Sequence, residues 1–122
     1  MAKIIALILG GALGAVLRFT LSGAVQRGLA ALNFPYGTLV VNLLGCFLTG
    51  VFIVCRDEKF LWGMDLKLLW VVGFCGAFTT FSAFVFDIEA LIHARQSFQA
   101  LGYILLSVTV GFILFRLGLI CG

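Results

Sequence analysis

An all-α membrane protein with four transmembrane helices is the fold class that the sequence predicts, on three observations. The 122 residues are 63% hydrophobic and only 11% charged. A soluble domain of this size exposes a large share of its surface and cannot hide so much apolar material from water. The apolar residues also gather into four runs, each near the length of about 20 residues that a helix needs to cross the hydrocarbon core. Finally, the polar stretches between the runs are short. Residues 1–122 read as one transmembrane domain.

The first run extends from Ile4 to about Val25. Met-Ala-Lys ahead of an apolar segment, with Ser22-Gly23-Ala24 near its end, imitates a secretory leader and its cleavage site. Three further spans follow, however, and Arg18 interrupts the run, so it is read as a span. A charge inside a membrane is costly and usually faces a cavity or a partner. Alternatively, Arg18 snorkels from a shifted helix end.

The second run extends from about Tyr36 to Cys55, introduced by Asn33-Phe34-Pro35. Pro35 suits a first helical turn, where its missing N–H is harmless. Thr38, Asn42, Gly45 and Thr49 follow at helical spacing and share one face. Asn42 stands out, with two amide donors and one acceptor. It either bonds a neighbouring helix or lines an ion path. Arg56-Asp57-Glu58-Lys59 marks the next loop.

The third run, Leu68 to about Leu91, is the most unusual. At its centre lies Gly73-Phe-Cys-Gly76-Ala-Phe-Thr79-Thr80-Phe81-Ser82-Ala-Phe84. Glycine and threonine are weak helix formers, and hydroxyls compete for backbone partners. A broken third helix is therefore expected. An unwound backbone at membrane depth is tolerated only inside protein or beside a watery cavity, and ions bind at such breaks in transporters. The competing reading is that these glycines merely permit close packing. If helix resumes after the break, Phe81 and Phe84 share a face; they either pack or face lipid, or present the positive edges of their rings to an anion. Asp87 and Glu89 read as solvated caps of the span, and His93 as a loop residue.

The fourth run extends from Phe98 to Cys121. Tyr103, Ser107 and Gly111 share one face, and Thr109 points elsewhere. Arg116 snorkels to the interface. Trp62, Trp70 and Tyr36 fall near span ends, as an interfacial aromatic belt would.

Basic residues form no run, so a nucleic-acid partner is not expected. No nucleophile–base set, phosphate loop or metal-ligand cluster appears, and no enzyme activity is expected. Four cysteines without a C-x-x-C pair read as small hydrophobes. The Lys and Arg bias weakly places both termini inside, which permits insertion in both orientations. Four short helices do not enclose a lined aqueous pore alone, so a transporting form would be an oligomer. Gly10-x-x-x-Gly14, Gly73-x-x-x-Ala77 and Ser107-x-x-x-Gly111 permit close contacts within or between subunits.

The chain resembles the Fluc (also called CrcB) fluoride channel family. The similarity lies in Gly10-Gly11-Ala-Leu-Gly14-Ala-Val-Leu-Arg18-Phe19, in Pro35-Tyr-Gly37-Thr38-Leu-Val-Val-Asn42-Leu-Leu-Gly45, and in the Gly73–Phe84 stretch. The resemblance implies a passive fluoride channel, built as a dual-topology homodimer with two antiparallel pores in the prokaryotic plasma membrane. It implies a fluoride path along Asn42, Phe81, Phe84, Thr38, Ser107, Tyr103, Ser82 and Thr80, with Arg18 at the vestibule. It also implies a central structural sodium ion held by the backbone carbonyls of Gly76 and Thr79. Ala83, Phe19, Asp87 and Gly111 depart from the family pattern, where threonine, tyrosine, glutamate and serine are common. Two rival readings are a small multidrug-type antiporter and a non-transporting assembly subunit. The first normally needs a membrane carboxylate to exchange protons, and the first span carries Arg18 and no acid.

Overall fold

The structure is a computed structural model that describes residues 1–54, 60–61 and 64–122. Among them are four helical stretches long and apolar enough to cross a membrane: Ala2–Gly28, Tyr36–Val54, Leu68–His93 and Ser97–Cys121. The first is α1, the second α2 and the last α5. The third contains a π-helical segment, Leu68–Cys75, a single turn α3, Gly76–Phe78, and then α4, Phe81–His93. Thr79 and Thr80, between α3 and α4, have extended dihedrals (φ −85°, ψ 157° and φ −148°, ψ 122°).

The connections are compact. A 3₁₀ turn, Ala30–Leu32, closes on Asn33 in the left-handed region at φ 46°, which Asn tolerates well. Pro35 stands one residue before α2 and its carbonyl accepts the first helical bond from Leu39, so it is a cap and not a first-turn residue. Gln26 of α1 ties this corner together: its amide donates to the Phe34 carbonyl (3.0 Å) and accepts from Gly37 N–H (3.0 Å). Phe60–Leu61 (β1) and Met64–Asp65 (β2) form a short antiparallel pair that the hydropathy pattern did not indicate. Asp65 then accepts from Leu68 N–H at 3.1 Å and satisfies a free donor at the start of the third span.

Two packing units meet at α2. On one side Val41, Phe74, Cys75 and Phe78 are buried together. On the other, Leu39, Leu91, Ala100 and Tyr103 are buried together. Glycines set the closest approaches. A Cβ at Gly10 would strike the Leu69 carbonyl oxygen, and one at Gly14 the Phe74 carbonyl oxygen, so α1 lies directly on the π segment. Gly50 and Gly118 bring α2 and α5 together in the same way. Gly111 faces Cys46 of α2. Gly10, Gly14 and Gly73 of the small-residue pairs are thus spent within the chain. Large apolar side chains such as Phe19, Phe86, Phe98 and Ile120 point outward, as a bundle solvated by lipid requires.

Several sequence expectations change. The first span reaches Gly28 rather than about Val25, and the third reaches His93 rather than about Leu91. His93 ends a helix instead of lying in a loop. Asp87 is not a solvated cap: it accepts a hydrogen bond from the Tyr103 hydroxyl at 3.2 Å. Glu89 is exposed as expected, 3.9 Å from His93 one turn on. Trp70 packs inward, stacking on Phe52 with centroids 5.4 Å apart. Cys55, Trp62 and Arg56-Asp57-Glu58-Lys59 lie outside the described residues.

Candidate functional site

The extended pair Thr79–Thr80 meets α2 where the sequence placed its polar stripe. In a continuous helix, Thr80 N–H would donate to the Gly76 carbonyl. Here it donates to Asn42 Oδ1 at 2.7 Å. The same side chain returns a bond, from Nδ2 to the Thr80 carbonyl at 3.0 Å. One turn further along α2, a Cβ at Gly45 would strike Thr79 Cγ2, so glycine there admits the threonine. Thr79 Oγ1 bonds back to the Cys75 carbonyl at 2.9 Å. Thr80 Oγ1 accepts from Ala83 N–H at 3.2 Å and thereby caps α4. The Ser82 hydroxyl lies 3.3 Å from it.

Beside this junction lies a cavity of about 580 Å³. Its walls include Asn42, Thr79, Thr80, Phe81, Phe84 and Ser107, together with Cys46, Thr49 and Gly111. The two phenyl rings stand 5.9 Å apart at 41°. Ser107 Oγ is buried here with no hydrogen-bond partner among the described residues. A buried hydroxyl without a partner calls for an explanation.

A second cavity, of about 630 Å³, opens between the ends of α1, α2 and α4. Thr38, Asp87, Gln26 and Phe34 line it. Tyr103 stands between the two spaces. It is fully buried, with its ring 5.0 Å from Phe84 of one cavity and 5.5 Å from Phe34 of the other. Its hydroxyl reaches Asp87. Both cavities are mostly apolar with a few convergent polar groups, the usual character of a small-ligand site.

The structure thus gathers Asn42, Thr80, Phe81, Phe84 and Ser107 around one cavity, with Thr38 at the other and Tyr103 between them. Ser82 lies on the exposed side of the junction. Arg18 is half-buried on α1 and lines neither cavity. Gly76 faces outward, with no heavy atom of the described residues within 4 Å of where its Cβ would be. Sequence reasoning did not find the pairing of Asn42 with the Thr80 backbone. The signal was present in Asn42 and Gly45 on one α2 face, but it did not identify their partner.

This arrangement defines a multi-pass membrane protein with a polar junction inside its bundle. Residues 5–119 match the family described as CrcB-like protein, Camphor Resistance (CrcB), and the chain belongs to that family. It is 48% identical over 100 residues to the fluoride-specific ion channel FluC of Hahella chejuensis, covering 82% of this chain and 78% of that protein. It is 35% identical over 120 residues to the protein of the same name from Desulforapulum autotrophicum, covering 98% and 95%. A third relative of that name, from Methylobacillus flagellatus, is 38% identical over 120 residues, covering 97% and 92%.

Proposed function

We propose that this chain is a passive fluoride channel and not an enzyme. The observation that carries this reading is the cavity at the Thr79–Thr80 junction, where Asn42, Ser107 and two phenylalanines converge. Fluoride is small and strongly hydrated. A pore must replace lost water with donors that do not hold the ion permanently. The free Ser107 hydroxyl, the remaining Asn42 N–H and the ring edges of Phe81 and Phe84 suit that task. The names of the relatives point the same way. Thr38 and Tyr103 extend the polar route towards the second cavity, and Ser82 and Thr80 border the junction. Arg18 serves as a vestibule charge that concentrates anions.

The proposed assembly is an antiparallel, dual-topology homodimer in the prokaryotic plasma membrane, with two pores. The third helix is broken at Thr79–Thr80. Two features support a crossing point there. Gly76 is exposed with open space beside it, and Thr80 N–H donates to Asn42 rather than back along the helix. The backbone carbonyls of Gly76 and Thr79 would hold a structural sodium ion, a hard cation suited to oxygen ligands. It would offset repulsion between facing carbonyls and lie outside the fluoride path.

Fluoride efflux from liposomes, read with a fluoride electrode and a potassium ionophore, tests the reading. Rapid efflux that needs only the ionophore is expected. Proton-coupled cation movement would favour the antiporter, and no flux of either kind the assembly subunit.

A further inference from the structure

We propose that Asn42, besides the one donor it offers the cavity, is a positioning residue that holds Thr79–Thr80 extended by pairing with the Thr80 backbone. This inference rests on the channel reading and specifies how its junction is built.

An asparagine side chain ends in an amide, chemically a short peptide group. Asn42 uses both ends of it on one residue, accepting from Thr80 N–H at 2.7 Å and donating to the Thr80 carbonyl at 3.0 Å. This is the reciprocal pairing that a neighbouring strand would offer. At membrane depth lipid offers no substitute, so either group left alone would be without a bond. The residue type is narrowly set. Aspartate keeps the acceptor and loses the donor, leucine loses both, and glutamine adds a methylene. Gly45 admits Thr79 one turn away, so α2 already lies hard against the segment.

The effect passes outward along the chain. Asn42 fixes the Thr80 backbone, and the Thr80 hydroxyl caps α4 through Ala83 N–H. Phe81 is the first residue of α4 and Phe84 lies one turn on. The direction of both rings therefore depends on a side chain of another helix. With Oδ1 and one N–H engaged, Asn42 offers the cavity at most one donor. It cannot swing to follow an ion without releasing Thr80.

A double-mutant cycle tests this with the full chain in liposomes. Asn42→Leu removes both side-chain groups. Replacing the Thr79–Thr80 amide by an ester removes the Thr80 N–H and leaves residue 42 intact. Each change should slow fluoride efflux about tenfold or more. The combination should be no slower than Asn42→Leu alone, because both break one contact. Losses that multiply would overturn the proposal and leave Asn42 as a donor to the ion without a positioning role. A second readout needs no transport. Hydrogen exchange at the Thr80 amide should speed up about tenfold or more in Asn42→Leu, while amides in the middle of α5 stay unchanged. Unchanged Thr80 exchange would also overturn the proposal. Absence of fluoride efflux in the unmodified protein would reject the channel reading, and the exchange measurement would still decide the Asn42–Thr80 pairing.

Discussion

Phe78 and Phe81 are three residues apart in one span, yet Phe78 is 3% exposed and Phe81 is 76% exposed. The contrast extends along both halves. Before Thr79, the span is held by its neighbours: Gly73, Phe74, Cys75 and Phe78 are buried, and α1 lies on its backbone through Gly10 and Gly14. After Thr80, the span is a helix closed at both ends by its own residues. Thr80 caps its start. At its end Arg95 N–H donates to Ile92 and Gln96 N–H to Leu91, a Schellman closure with Arg95 at φ 58°. One half spends its surface on tertiary contact. The other keeps a face free for the cavity, packs through Phe84, Ile88 and Leu91, and is closed by local caps. The extended pair separates these two roles.

This contrast can be broken at several points. Gly14→Val should do most damage, because its side chain would enter the Phe74 backbone; a loss of about 3 kcal/mol is expected, read as a large fall in thermal stability in detergent. A tolerated valine would mean that the first half is not held by α1. Thr80→Ala removes the cap and should cost about 1 kcal/mol, with faster exchange at Ala83 and little change at Phe74. Equal change at both would show that the halves are not independent. Arg95→Gly relieves a left-handed residue and should stabilise α4 by about 0.5 kcal/mol, seen as a small rise in melting temperature. A fall would mean that the Arg95 side chain matters more than its backbone. Gly76→Ala should change the chain's own stability by less than about 0.5 kcal/mol, since the space beside it is open. Crosslinking should nevertheless report a weaker dimer, and an unchanged dimer would move the proposed crossing away from Gly76.

Much of the fold was legible because apolar length is a strong signal. The starts of the spans at Tyr36 and Leu68 fall where the hydropathy placed them. The ends of the first and third spans did not, because amphipathic residues such as Gln26 and His93 continue a helix beyond its apolar run. The π-helical form of Leu68–Cys75 was not legible, since hydrogen-bond register leaves no mark in composition. At the site, the weak helix formers Gly76, Thr79 and Thr80 marked the stretch in which Thr79 and Thr80 have extended dihedrals, and periodicity placed Asn42 and Gly45 on one face. That Asn42 meets Thr80, and that Asp87 meets Tyr103, depends on how helices rotate against one another. Spacing within one helix carries no information on that.

Phe81 and Phe86 give the most direct test of the pathway. Both are phenylalanines of α4, and they are 76% and 73% exposed. They differ in facing: Phe81 lines the cavity beside Asn42 and Phe86 does not. Isoleucine at either position keeps an apolar side chain and removes the ring edge. Fluoride efflux should be measured for both variants, each checked for an intact fold. Phe81→Ile should lose most of its flux and Phe86→Ile should conduct like the unmodified protein. Equal flux in the two variants would contradict a fluoride path along the Asn42 face of α4.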